Sequence, residues 1–598
     1  MNRKLTVGVA ALGAAVVMEC VGARCGNGID ARPEALDASA WAGSVCPSAA
    51  DRPFKTLGAM IDVSRGRVLT VDYLKGRFDR MRKMGYNAVM LYTEDTYRLD
   101  GEPKWGYLRG GYSAEEIRTL KAHADGLGLV LIPCIQTLGH LEQPLRWAEY
   151  EDIRNTAFTV LVGEERTYAL IDKMLAFWQQ TVGGARIHLG MDEAMGFAGG
   201  KCRRLSDEKS DVDVFLRHLK RVCDICAKRG FTEPIIWSDM FYRLASKTHD
   251  YYDPMAKADA SLAARIPSGL RLCYWDYYHS DRAYYADMID GHWSLGSEPV
   301  LAGGIQLWNH FLHDREKTLS TMKPFVEAAK EKNCGEFFFA MWGDDGGYAI
   351  PDIAEEGLFA CAELAAGRTA EPTAENCARF KALTGYDYCS MAKLGEVCRH
   401  YADDWPEMIQ EASILYDDPL FCANYRNYLV RTPSKTTDRR LYCACYRDAV
   451  WRDDGEKVMA DYRKTLEDCK GLSGLPPVVA AIVRTLAAKV CYEADILVAW
   501  RTKDRKTLER IAEKDLPALV AALRDFMELY RTDWYATSQP FGFERIQKRN
   551  AAALARLEEA QRRLDDWLAG RVATIEELDE TLKPFGLYSP QVPIRNGF

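Results

Sequence analysis

Between Phe54 and Gly367 the chain passes from a short β-rich run to a helical pattern eight times in about 300 residues. That period constrains the fold more than any other feature, because strand–helix alternation at this spacing predicts a (β/α)8 TIM barrel. The expected strands are 58–63, 87–92, 129–136, 186–192, 234–237, 270–275, 300–308 and 336–342. Helical periodicity occupies the gaps, for example at 71–84, 113–127, 166–181, 214–229, 282–295 and 317–332. From Glu371 the β-rich runs stop and helical patterns continue to about Gly570. The expected class is therefore α/β, with a (β/α)8 barrel over 54–367 followed by an α-helical carboxyl-terminal domain over 371–598. At 598 residues and 48% hydrophobic content, the chain can bury the two or three cores this requires.

A barrel of this kind carries its chemistry where the strands end, on the carboxyl-terminal rim. Strand two ends in Tyr92-Thr93-Glu94-Asp95, strand three in Gln136-Thr137-Leu138-Gly139-His140 and strand four in Asp192-Glu193. Side chains alternate along a strand, so two adjacent acids share one pocket only where the strand frays into its loop. There they take different angles, which suits unequal roles. Strands five to eight each end in a tryptophan followed by polar residues: Trp237-Ser238-Asp239, Trp275-Asp276-Tyr277-Tyr278, Trp308-Asn309-His310 and Trp342-Gly343-Asp344-Asp345. Four indoles on one rim read as a pocket wall, since flat aromatic faces suit the C–H faces of a sugar while nearby carboxylates take its hydroxyls.

His188-Leu189-Gly190-Met191-Asp192-Glu193 resembles the H-x-G-x-D-E signature of glycoside hydrolase family 20, the exo-acting β-N-acetylhexosaminidases, and Gly139-His140 resembles that family's Gly-His. Tyr92 to Tyr97, Ile135 to His140 and Trp237 to Met240 are most similar to a bacterial branch with a helical carboxyl-terminal domain, hexosaminidase D-like. The resemblance implies a retaining mechanism in which the substrate's 2-acetamido oxygen is the nucleophile. By it, Glu193 is the general acid/base, Asp192 orients the acetamido group, and His140 supports the acidic centre. A tyrosine, Tyr278, Tyr277 or Tyr274, binds the acetamido carbonyl. Members of the family carry an arginine just before the glycine of strand one, where this chain has Leu57-Gly58. Glu94, Asp95 and Asp344 are the expected substitutes, with Trp237, Trp275, Trp308 and Trp342 lining the sugar site. The small α/β domain that commonly precedes the family's barrel is not expected here.

The rest of the chain narrows the partners. A formal charge of −8 with no basic block argues against nucleic acid or an anionic membrane as partner. Asn2-Arg3-Lys4, the apolar run Leu5 to Met18 and Val21-Gly22-Ala23 have the layout of an export signal cleaved after Ala23, and that run is short for a membrane span. Residues 24–53 read as a linker. The eighteen cysteines are scattered and suggest buried thiols. Cys223 and Cys226 sit inside a helical pattern without a second pair, so neither a structural metal nor a cofactor is expected. In the last domain Leu554, Leu557, Leu564 and Trp567 form a helix stripe that packs on its neighbours. Trp534 to Phe543 breaks the helical pattern and reads as a packed loop; the alternative is that it reaches a barrel mouth, its own or that of a partner in a homodimer. Two rival readings keep the barrel: a metal-dependent hydrolase using His140, His188 and Asp192, and a carbohydrate-binding barrel without catalysis.

Overall fold

The computed structural model describes residues 53–208, 210–247, 251–252, 260–296, 298–344, 348–398, 411–430 and 455–581. The expected export signal, nearly all of the linker, and Asp345 lie outside the described residues. Eight parallel strands close a barrel in sequence order. They are β1 Thr56–Asp62, β2 Ala88–Tyr92, β3 Val130–Cys134, β4 Arg186–His188, β5 Glu233–Trp237, β6 Arg271–Trp275, β7 Val300–Gly304 and β8 Glu336–Met341. Every residue of β2, β7 and β8 is buried, as expected of strands covered by side chains inside the barrel and helices outside.

Local chemistry fixes the helices between them. Helix Val71–Met84 starts at Thr70, whose hydroxyl accepts from the Tyr73 N–H, and stops at Gly85 in the left-handed conformation. Helix Ala114–Leu127 opens with a reciprocal cap between Ser113 and Glu116. Strands β3, β4 and β7 end earlier than their apolar patterns suggest. In β4 the ladder stops at His188, and Gly190, Met191 and Glu193 then have φ of 71°, 72° and 47°. The apolar alternation continues past His188, but the backbone has left extended space.

The carboxyl-terminal helices include Pro477–Thr502, Leu516–Thr537 and Phe543–Leu568. Leu557 and Leu564 are buried, Leu554 and Trp567 half-buried, and Trp567 packs 5.0 Å from Trp500. Among the described residues no helix is long and apolar enough to cross a membrane. The helix containing Trp534 runs on to Thr537, and the turn after it reaches the loop that follows β1 in the same chain. Ser538 bridges Leu69, and the Gln539 N–H donates to the Val68 carbonyl at 2.7 Å. Arg67 is the centre of this contact. Its guanidinium donates to Asp533 (2.5 Å), Ser538 (2.9 Å), Thr537 (3.0 Å) and the Ala349 carbonyl (3.0 Å), and lies 4.6 Å from the Trp534 ring. Arg67→Ala is expected to cost about 3–5 kcal/mol, because it strands a largely buried Asp533 carboxylate. Chemical denaturation of the purified variant measures this, and an unchanged midpoint would contradict the role given to Arg67.

Candidate active site

The carboxylates stand on a turn that only certain residues allow. His188 is buried under Trp237, with ring centroids 4.3 Å apart, and its Nδ1 accepts the Gly190 N–H at 3.1 Å. Burial pushes this imidazole down to about 3, so it is neutral. Gly190 is left-handed, and a Cβ on it would stand 2.1 Å from Gln136 Oε1. That close approach lets Gln136 hold the turn. Its Oε1 accepts the Met191 N–H at 3.1 Å and its Nε2 donates to Asp192 Oδ1 at 2.7 Å. A Cβ on Gly139 would lie 2.9 Å from the Asp192 carbonyl, so the β3 loop, too, needs glycine to lie against β4. The signature is thus a backbone requirement as well as a chemical one.

His140 joins the pair. Its Nε2 lies 3.1 Å from Asp192 Oδ2 and 3.4 Å from Glu193 Oε2. Burial lowers the imidazole's pKa, but Asp192's charge and the hydrogen bonds to both acids outweigh it and hold His140 well above the ordinary histidine value. Burial likewise raises both carboxyls, and His140 brings each below its usual range, with Gln136 adding to the effect on Asp192. The free site is therefore an imidazolium between two carboxylates. His140 and Glu193 have φ of 49° and 47°, and Glu94 at the end of β2 has 42°. Non-glycine residues at such angles are held there by their surroundings, as at many functional sites.

A third acid supports Glu193. Asp239, fully buried after β5, accepts the Glu193 N–H on Oδ2 at 3.0 Å and the Trp275 indole N–H on Oδ1 at 3.4 Å. Burial and then the charge of Asp192 push its carboxyl up to about 7. A carboxyl raised on folding binds protons that the unfolded chain has released, so the stability it contributes is lost as pH rises through about 7. Asp239→Asn keeps an oxygen for the Glu193 N–H and removes that dependence. Going from about pH 5 to about pH 8, the wild type is expected to lose stability relative to Asp239→Asn by on the order of 2–4 kcal/mol. Unfolding curves at the two pH values check this; parallel pH dependences would refute it.

A chain of hydrogen bonds leads from this centre to the rim. Gln136 Nε2 also donates to the Tyr92 hydroxyl at 3.0 Å, which donates to Glu94 Oε1 at 3.1 Å. Glu94 pairs with Arg65 at 3.0 Å, and Arg65 also pairs with Asp62 at 2.8 Å and Asp344 at 3.4 Å, its guanidinium 4.7 Å from the Tyr92 ring and 4.9 Å from the Trp342 ring. Arg65 stands in the loop after β1, past the strand, and not at the position before Gly58 where the resemblance places an arginine. Asp62-x-x-Arg65 at a strand end was the available signal. Gln136 and Asp239 lie at strand ends in the sequence, but only the barrel's closure shows what they touch.

The aromatic residues divide into two groups. Trp342 packs 4.9 Å from Tyr92 and 5.9 Å from Trp237, which is 1% exposed and forms a floor more than a wall. Trp275 stacks on Tyr277 at 5.2 Å, and Trp308 meets the same ring at 5.4 Å. The three candidate tyrosines differ. Tyr274 faces the helices outside the barrel: its ring lies 5.3 Å from Phe325, its hydroxyl donates to Asp276 at 3.1 Å, and it does not line the pocket. Strand alternation is the reason, since Cys273 and Trp275 take the inward positions. Tyr278 is 40% exposed, beside the Tyr277 ring. Tyr277 is buried with its hydroxyl turned toward the Trp342 indole, and among the described residues that hydroxyl meets no partner in full hydrogen-bond geometry. Asp95 also departs from expectation, because it is buried against Arg109 at 2.8 Å and supports the β2 loop instead of facing the pocket.

Among the described residues one trio, His310, Cys398 and Glu411, has the composition of a metal site. Its atoms are already engaged with one another, His310 Nδ1 with Glu411 Oε2 at 2.5 Å and the Cys398 thiol with Oε1 at 3.1 Å, while the Leu312 N–H also donates to Oε1. It tethers the β7 loop to the helical domain and contains none of the residues of the metal-hydrolase reading.

Residues 425–592 match the family described as the Glycoside Hydrolase 20C C-terminal domain. The chain is 26% identical over 234 residues to human hexosaminidase D, covering 38% of this chain and 45% of that protein. It is also 26% identical over 221 residues to bovine hexosaminidase D, covering 36% of this chain and 60% of that protein. These matches span about half the length of the curated relatives. A β-N-acetylhexosaminidase structure from Streptomyces coelicolor superposes with a TM-score of 0.40 at 18% identity, over 56% of this chain and 70% of that one. The helical region after the barrel is thus similar to the carboxyl-terminal domain of family 20C glycoside hydrolases, and part of the chain is similar to two hexosaminidases D.

Proposed function

We propose that the protein is an exo-acting retaining β-N-acetylhexosaminidase that removes terminal β-linked GlcNAc or GalNAc from glycans by substrate-assisted catalysis. The observation that carries this is the placement of His140 between two adjacent carboxylates that are held by different partners. Adjacent acids are poorly placed to flank a glycosidic bond from opposite faces, but one can protonate the leaving oxygen while the other holds the acetamido N–H. Glu193, on the more open side of the pair, is the acid/base, and Asp192, fixed by Gln136, orients the acetamido group. In the free site the proton lies on His140. A sugar that separates Glu193 from His140 leaves burial dominant, so the proton moves to Glu193. The Tyr277 hydroxyl is the donor for the acetamido carbonyl. Arg65, with Glu94 and Asp344, takes the place of the strand-one arginine at the sugar hydroxyls, and Trp275, Trp308 and Trp342 face the ring. The basic-apolar start of the chain supports export.

Assay of chromogenic β-GlcNAc, β-GalNAc, β-glucose and β-galactose glycosides side by side, with and without EDTA, tests the reading. Cleavage of the two N-acetyl substrates, unaffected by EDTA, is expected. Loss on chelation with recovery on adding zinc would favour a metal hydrolase, and binding without turnover a carbohydrate-binding barrel.

A further inference from the structure

We propose that Cys377 and Cys389 form a disulfide that clips together two short helices where the barrel passes into the helical domain. Cys377 lies in helix Ala374–Thr384 and Cys389 in the first turn of helix Tyr388–Leu394. Gly385, left-handed at the end of the first helix, and Asp387, capping the second, turn the chain back so that the two sulfurs stand 2.7 Å apart. Non-bonded heavy atoms settle at roughly 3.5–4.0 Å, so two separate thiols do not rest at this distance. A sulfur–sulfur bond is the arrangement that accommodates them. Most other described cysteines are buried, whereas Cys389 is exposed and Cys377 half-buried, so this pair is open to a soluble oxidant.

The turn between the cysteines ties both parts of the chain. The Tyr386 hydroxyl donates to Asp352 at 2.6 Å on the barrel side, and the Asp387 N–H donates to the Gly474 carbonyl at 2.8 Å on the helical side. A bond closing this twelve-residue separation limits the unfolded chain while leaving the native turn in place. The oxidant is a low-molecular-weight disulfide such as glutathione disulfide. The Cys389 thiolate attacks one of its sulfurs, forming a mixed disulfide and expelling one glutathione thiolate. The Cys377 thiolate then attacks the Cys389 sulfur and expels the second. Two protein thiols lose two protons and two electrons, and one glutathione disulfide becomes two glutathiones. Cys389 attacks first because it is the exposed partner, while burial and its neighbour push the Cys377 thiol up to about 11.

The test uses the folded full chain, equilibrated with glutathione disulfide or with dithiothreitol, alkylated and digested with trypsin. Cys377 falls in the peptide Thr369–Arg379 and Cys389 in Ala382–Lys393, each with a single cysteine. Peptide mass mapping should find the two peptides linked after oxidation and separately alkylated after dithiothreitol, with a higher thermal midpoint for the oxidised protein. Cys377→Ser should abolish the link and that rise, leaving Cys389 as a mixed disulfide with glutathione. Recovery of both wild-type peptides unlinked after oxidation, whether alkylated or each carrying glutathione, would overturn the proposal. That outcome is read on the wild type, so a variant that fails to fold does not obscure it.

Discussion

Glu193→Gln should lower kcat/KM on natural N-acetylhexosaminides by about 10²–10⁴-fold, the range that general acid catalysis contributes. Aryl glycosides with good leaving groups, which need little help from a proton, should lose far less. The geometry supports this split. Glu193 Oε2 is 3.4 Å from His140 Nε2, the proposed source of the proton, and its backbone is fixed by Asp239, so a neutral isostere removes the proton without removing the turn. Steady-state rates on a leaving-group series provide the measurement. A variant impaired equally on all members would show that Glu193 does not protonate the leaving group, and an unimpaired one that the acid lies elsewhere.

The fold was legible in the sequence because all eight strands are short apolar runs separated by helical periodicity, while the caps at Thr70, Ser113 and Gly85 fix where two of those helices start and one stops. Asp192, Glu193 and His140 were legible because strand ends define a rim, and the structure places them in contact. The end of β4 was not, since apolar alternation does not report that Gly190 and Met191 turn left-handed. Tyr274, Tyr277 and Tyr278 could not be separated until strand alternation acquired an inside and an outside. Arg65 was missed because a pocket collects groups from several strands, and its partners Glu94 and Asp344 lie on β2 and β8 loops far away in sequence. The segment after Trp534 also needed the fold, for its partner Arg67 is separated from Ser538 by 471 residues. The helical domain therefore grips the loop that carries Arg65.

Asp192→Asn should reduce kcat much more than it changes KM, and substrates with a 2-hydroxyl in place of the acetamido group should be nearly inert. Both expectations follow from making the substrate's acetamido oxygen the nucleophile. Asp192 is held by Gln136 at 2.7 Å and by His140 at 3.1 Å, so its carboxylate is oriented before substrate arrives. On the proposed mechanism, positive charge grows on the acetamido group as its oxygen attacks the anomeric carbon, and the fixed carboxylate would balance it more strongly in the transition state than in the bound substrate. An interaction that strengthens on the way to the transition state appears in kcat. A thiazoline mimic of the cyclic intermediate should then inhibit far more tightly than the product sugar. If a 2-hydroxy glycoside were cleaved at a comparable rate, or a 2-fluoro glycoside left a sugar bonded to Asp192 or Glu193, an enzyme carboxylate would be the nucleophile. Asp192 would then have to face the anomeric carbon directly, a role at odds with its being fixed from both sides by Gln136 and His140.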